Sequence, residues 1–207
     1  IFFLITSSFK NNIDLFALPP KLFFFNIDFS AYERVFGFSN FFKFDPSYSE
    51  LFLTSRIIDS LIIGLGSSSL TLIIGIYAGY YISRVNFKFK KYLIISILSA
   101  RMMPLVSIAI PIYFVYERIN LLDTYIGIIL VHTFINLPLA VLLLKSFFDE
   151  VPKQIDENAY IDGASKIKIL HRLIIPCAKS GMAVTFILSL IFSWTEFICA
   201  LMIGQMN

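Results

Sequence analysis

The sequence predicts an all-α protein that crosses a membrane several times, and three observations carry that reading. Of the 207 residues, 57% are apolar and only 15% are charged, against roughly 25% charged in a soluble domain. Mean hydropathy is +0.80. The shortage of charge is also concentrated: 57–82, 92–116, 124–148 and 181–204 are almost free of it, and each is long enough as a helix to cross a hydrocarbon layer of ~30 Å. A soluble globular fold and a disordered chain are thereby excluded. Two cysteines, Cys177 and Cys199, are too few for a disulfide scaffold and read as small packing residues. A net charge of +3 is too small to point to nucleic acid.

Residues 1–9 are apolar but too short to span, so they read as the end of a truncated helix. Position 1 is Ile rather than Met, and the true start of the chain is expected to be missing. No basic region or A-x-A site marks a signal peptide. Residues 10–56 hold five Lys/Arg and five Asp/Glu, broken by Pro19-Pro20, Gly37 and Asp45-Pro46; they read as an extramembrane loop with short helical turns. Its Phe23, Phe24, Phe25, Phe41, Phe42 and Phe44 fit a chain-wide bias toward phenylalanine better than an aromatic binding platform. Residues 57–204 then form one helical core, giving four complete spans plus a partial first one.

Charge sets the orientation. The connection 83–91 holds Arg84, Lys88, Lys90 and Lys91 without an acid, and 149–180 holds Lys153, Lys166, Lys168, Arg172 and Lys179. Loops rich in Lys and Arg stay on the cytoplasmic side, which puts these two inside and 10–56 and 117–123 outside, consistent with alternating spans. In the first full span Ser67, Thr71, Gly75 and Gly79 recur every four residues, a stripe of small side chains that predicts a close helix–helix seam. Pro104 and Pro111 in the second span and Pro138 in the third are expected to kink their helices. Such kinks either line a pathway or merely shape the packing.

The stretch 149–176 reads as two short helices joined at a turn. Asp149 and Glu150 precede Pro152, a favoured opening for a helix, and Gly163 after Asp162 is placed to end that helix in a left-handed conformation. A second helix is expected over 164–172, closed by Pro176. Val151, Ile155 and Ala159 fall on one side of the first helix, whereas Lys153, Asp156 and Glu157 face elsewhere. A compact helical elbow on the positively flanked side suggests a docking element, with a solvated connector as the plain alternative.

These residues resemble a known family. Permease subunits of bacterial binding-protein-dependent ABC importers carry the motif E-A-A-x3-G-x9-I-x-L-P, and Glu157, Asn158, Ala159, Gly163, Leu173, Ile175 and Pro176 stand at those spacings. Asn158, Leu173 and Ile175 depart mildly from it. AYIDGAS at 159–165 is similar to the carbohydrate type, as are Leu15-Phe16-Ala17-Leu18-Pro19-Pro20, Leu122-Asp123-Thr124-Tyr125 and Trp194-Thr195-Glu196-Phe197, where the family usually has W-N-E-F. The chain most resembles the maltose-G-like partner. The resemblance implies six helices in the whole protein, a bacterial inner-membrane location, and a heterodimer with a second permease subunit. It also implies an extracytoplasmic solute-binding protein and an ABC ATPase dimer that binds ATP and magnesium. This chain would then hold no cofactor or metal and would not itself be an enzyme. Glu157, Asn158, Ala159, Asp162, Gly163, Ala164 and Pro176 would form the ATPase-coupling segment, with Ala159 packing in a cleft of the ATPase.

Four polar residues, Arg101, His132, Asn136 and Glu196, fall inside expected spans, where charge is costly and usually functional. Arg101 either faces a pathway or snorkels to the inner surface. Glu196 beside Trp194 either contacts solute or pairs with a neighbouring helix. Met103, Pro104, Asn136, Trp194 and Glu196 are the candidate pathway residues. A rival reading, an ion-coupled secondary transporter, would use Arg101, His132 and Glu196 as a relay, but has no need of the elbow. A membrane-embedded enzyme lacks support, since no P-loop or HExxH motif is present.

Overall fold

The computed structural model describes residues 2–16, 26–29, 32 and 50–204. Pro19-Pro20, Gly37, Asp45-Pro46, the six loop phenylalanines and the 17–20 part of the outer-loop motif lie outside the described residues. The chain divides into two units, 1–60 and 61–207. In the first, α1 (Phe2–Ser8) and α2 (Asn12–Leu15) are short. The Asn11 carboxamide caps α2 by accepting the Asp14 amide at 2.8 Å. Phe9, Phe29 and Tyr32 group their rings, and the Tyr32 hydroxyl donates to Ser8 Oγ at 2.7 Å.

The second unit takes in most of α3 (Glu50–Arg84), then α4 (Lys90–Arg101), α5 (Leu105–Arg118) and α6 (Tyr125–Glu150). Next come α7 (Lys153–Ile161), α8 (Lys166–Ile169), a π-turn (Leu170–Ile174) and α9 (Ile175–Cys177). The last elements are α10 (Lys179–Thr195) and α11 (Ile198–Ile203). Among the described residues all regular structure is helical. Among the described residues two helices, α3 from Arg56 and α6, are long and apolar enough to cross a membrane alone, and up to four spans result if two bent pairs each count as one.

The second expected span is one of those bent pairs. α4 and α5 meet at 91° across Met102-Met103-Pro104. Pro104 has no N–H and disfavours helical geometry in the residue before it, so the helix ends here and restarts. Pro111 and Pro138, in contrast, sit inside helices that run through them without a break. The fourth expected span is interrupted too, between Thr195 and Ile198.

Small polar side chains share the core with apolar ones, while much of the surface is apolar. Ser67, Ser68, Thr71, His132, Thr133, Asn136, Thr185, Ser189 and Ser193 are buried, whereas Ile73, Ile95, Ile110, Phe114, Phe134 and Ile187 are exposed. That distribution suits hydrocarbon surroundings, where small and hydroxylated residues fill helix seams. Ser67, Thr71, Gly75 and Gly79 face inward. At Gly79 an added Cβ would lie 3.0 Å from the Lys145 backbone nitrogen and 3.2 Å from the Val141 carbonyl oxygen, so α3 and α6 touch backbone to backbone. A second stripe, Gly181, Thr185, Ser189 and Ser193, runs down α10 and was not anticipated. α6 is the central post, packing against α4, α10 and α11.

Between α5 and α6 the chain turns through Asn120 (φ 53°) and Asp123 (φ 56°), residue types that tolerate left-handed geometry. Thr124 then caps α6 by accepting the Gly127 amide at 3.0 Å.

Candidate functional site: the elbow at 149–176 and the adjoining cavity

The elbow forms because its local signals agree. Pro152, extended at φ −56° and ψ 133°, leads into α7. Asp149 and Glu150 do not open this helix; they occupy the last turn of α6, where Asp149 accepts Ser83 Oγ at 2.6 Å and pairs with Lys145. Gly163 has φ +79°, its amide donates to the Tyr160 carbonyl at 3.0 Å, and the Ala164 amide donates to the Ala159 carbonyl at 2.9 Å. This pair of bonds is a Schellman closure.

Ser165 caps the next helix by accepting the Lys168 amide at 3.4 Å. That helix does not stop near Arg172: it widens into the π-turn and continues through Pro176 to Cys177. Proline lacks the N–H and crowds the carbonyl four residues back. A wider turn immediately ahead of it relieves both problems, and the Ile175 amide bonds to the Leu170 carbonyl instead.

The elbow's inner face is fused to the helices. Ala159, Ile169, Leu170 and Ile174 pack with Tyr80, Leu144, Phe148 and Val151 in one buried cluster. Ala159 is only 8% exposed and is covered by this chain, so it is not free to enter a partner's cleft; its small side chain lets α7 lie close to the following helix. Asp156 also faces inward, contrary to the helical-wheel reading. Its Oδ1 accepts the Tyr80 hydroxyl at 2.6 Å, and its Oδ2 lies 2.8 Å from Arg84 Nε. The Arg84 guanidinium further donates to the carbonyls of Phe148 (2.9 Å) and Val151 (3.0 Å), placing a cation at the carbonyl end of α6. Glu157, Asn158, Asp162 and Pro176 are exposed and Ala164 is half-buried. Tyr160, Ile161 and Ile167 also present exposed apolar surface.

Next to the elbow lies a cavity of about 920 Å³, mostly apolar, whose wall includes Tyr77, Tyr81, Arg101, Met103, Asn136 and Glu196. Pro104 and Trp194 are not part of that wall; Trp194 is half exposed and lies beside Gly64. The Arg101 guanidinium stacks 4.7 Å from the Phe192 ring centroid and donates to the Ile135 carbonyl at 3.4 Å. His132 belongs to a buried polar chain. Its Nδ1 lies 2.6 Å from Ser193 Oγ and its Nε2 lies 3.4 Å from Glu196 Oε2, while Ser193 Oγ lies 2.8 Å from Ser67 Oγ. The Glu196 carboxylate also accepts the Cys199 amide at 2.9 and 3.2 Å, capping α11 across the break. The structure therefore joins His132 to Glu196 and leaves Arg101 on Phe192, outside any three-membered relay. Among the described residues no group of three or more His, Cys, Asp or Glu could hold a metal.

Residues 71–207 match the family described as binding-protein-dependent transport system inner membrane component. The chain is 30% identical over 155 residues to the sulfoquinovosyl glycerol transport system permease protein of Agrobacterium fabrum, covering 75% of this chain and 54% of that protein. It is 34% identical over 148 residues to the trehalose transport system permease protein of Mycobacterium tuberculosis, covering 72% and 54%. The chain spans about half the length of these curated relatives. Its fold resembles a chain in the crystal structure of a bacterial ABC transporter involved in the import of the acidic polysaccharide alginate, with a TM-score of 0.76 at 21% identity over 98% of this chain and 66% of that one. With the elbow motif and the apolar surface, the match over 71–207 makes the chain a member of the binding-protein-dependent transport system inner membrane components, the permease family of ABC importers.

Proposed function

We propose that the chain is the membrane-spanning subunit of an ATP-driven importer for a sugar-like solute, and that a separate ATPase grips it at 149–176. The observation that carries this reading is the elbow. Its inner face is welded to the helices, while Glu157, Tyr160, Ile161 and Ile167 stand out as a mixed acidic and apolar knob. A stiff projection can pass on a partner's movement, whereas a flexible loop would absorb it. ATP and magnesium then belong to the ATPase dimer, and a second permease subunit and an extracytoplasmic solute-binding protein complete the assembly in a bacterial inner membrane.

The cavity walled by Arg101, Met103 and Asn136 is the candidate solute path. Glu196 reaches the same wall but has both oxygens engaged, so it serves as a strut. The sugar-like class is supported by the relatives named for trehalose and sulfoquinovosyl glycerol. The family likeness favours this reading over an ion-coupled transporter. The test is uptake of radiolabelled sugars by proteoliposomes holding the chain with a candidate ATPase, second permease and binding protein from the same organism. ATP-dependent uptake that Gly163→Val abolishes, with ATP hydrolysis retained, supports the proposal. Uptake at the unmodified rate in that variant contradicts it.

A further inference from the structure

The last two turns of α3 have two working faces. One is held by the elbow: Tyr80 donates to Asp156, Arg84 pairs with Asp156, and the Tyr77 hydroxyl lies 3.0 Å from His171 Nε2 on the π-turn. The other, with Tyr77, Ala78, Tyr81 and Ile82, forms part of the cavity wall. Tyr77 belongs to both.

Any displacement of the elbow can reach α3 only through non-covalent contacts, because the elbow's covalent neighbours are α6 and α10. At both of those joints the chain is not helical. Pro152 is extended, and Ala178 has φ −98° and ψ 19° where the helix turns through 82°. Such joints absorb rotation. The apolar cluster around Phe148 and Ile174 holds the parts together, but apolar contact is non-directional and does not by itself select one register. A buried ion pair flanked by directional hydrogen bonds resists a change of register, since few arrangements keep the Tyr80 hydroxyl on Asp156 and the Arg84 guanidinium on the Phe148 and Val151 carbonyls at once.

We infer that Arg84, Tyr80 and Asp156 are positioning residues for coupling. They lock the end of α3 to the elbow, so that the elbow's movement is delivered to the cavity wall at Tyr77 and Tyr81. The inference rests on the proposed function above. Arg84 suits the task because one planar guanidinium joins three elements: α3, which carries it, α7 through Asp156, and the end of α6 through the Phe148 and Val151 carbonyls. The π-turn presents His171 to Tyr77 as a second tie on the same stretch of α3.

The experiment measures solute imported per ATP hydrolysed in proteoliposomes holding the assembled transporter. Asp156→Asn and Arg84→Gln are expected to lower that ratio at least about tenfold while hydrolysis continues. Tyr80→Phe, which removes one hydroxyl and no charge, is expected to lower it several-fold, and Asp156→Glu to stay within about twofold of the unmodified protein. A short bis-maleimide tether between Tyr77→Cys and His171→Cys is expected to restore the ratio in the Asp156→Asn background, a rescue that a merely stabilising pair would not give. Where Asp156→Asn fails to assemble, Tyr80→Phe decides: an unchanged ratio overturns the inference. If the unmodified assembly imports nothing under ATP, the proposed function itself fails; if it imports and every variant imports with equal efficiency, only the inference fails.

Discussion

Arg84 Nε lies 2.8 Å from Asp156 Oδ2, with the two side chains 10% and 7% exposed. The pair ties the end of the first long helix to the first turn of α7, and Tyr80 holds the other carboxylate oxygen. Removing one member of such a buried pair strands the other charge at a cost of about 3–5 kcal/mol, whereas replacing both by apolar residues can be nearly neutral. Asp156→Ala is therefore expected to lower thermal stability in detergent far more than the double variant Arg84→Met/Asp156→Leu. Equal losses in the two would show that the charge pairing contributes nothing.

At Gly163 the strain is purely in the backbone. A Cβ there would meet nothing within 4 Å, yet φ is +79°. Left-handed geometry costs a residue with a side chain roughly 1–2 kcal/mol and Asn less. Gly163→Ala is expected to destabilise by about that amount and Gly163→Asn by less, read as melting shifts. A Gly163→Ala variant as stable as the parent would mean that the turn relaxes.

The small-residue stripe of α3 makes a finer prediction. A Cβ on Gly75 would meet Leu144 Cδ1 at 2.9 Å, the end of a flexible side chain, but on Gly79 it would meet backbone at 3.0 and 3.2 Å. Overpacking costs of order 1–3 kcal/mol, and backbone yields less than a rotamer. Gly79→Ala is thus expected to be the more damaging substitution. The reverse order would place the close approach elsewhere.

Glu196 braces the break between α10 and α11. Gln can still accept the Cys199 amide, though it gives up the charge facing His132; Ala gives up both. Glu196→Gln is expected to keep most of the stability and Glu196→Ala to lose about 1–3 kcal/mol, since the Cys199 amide loses its acceptor and His132 its facing carboxylate. Matching melting temperatures for the two would show that the carboxylate is not the brace.

What could be read from the residues alone was whatever is encoded locally. The four-residue spacing of Ser67, Thr71, Gly75 and Gly79 marks a seam, and Asp162-Gly163 marks a left-handed turn, because each depends on near neighbours in the chain. The same four-residue spacing in Gly181, Thr185, Ser189 and Ser193 was equally available but easily missed, with one glycine among three hydroxyl residues. Prolines were harder. Pro104 ends a helix, Pro111 and Pro138 do not, and Pro176 is absorbed by a π-turn, since what decides is whether neighbouring elements make up for the missing N–H. The inward turn of Asp156 was out of reach, because its partners Tyr80 and Arg84 are distant in sequence and only tertiary packing brings them together.

The most direct measurement of the central claim, that the elbow is what a separate motor grips, is photo-crosslinking from Glu157 and Ile161 in native membranes containing the candidate ATPase. Capture of that ATPase, changing in yield when ATP replaces ADP, is the expected result. Adducts with lipid alone, unaltered by nucleotide, would contradict it.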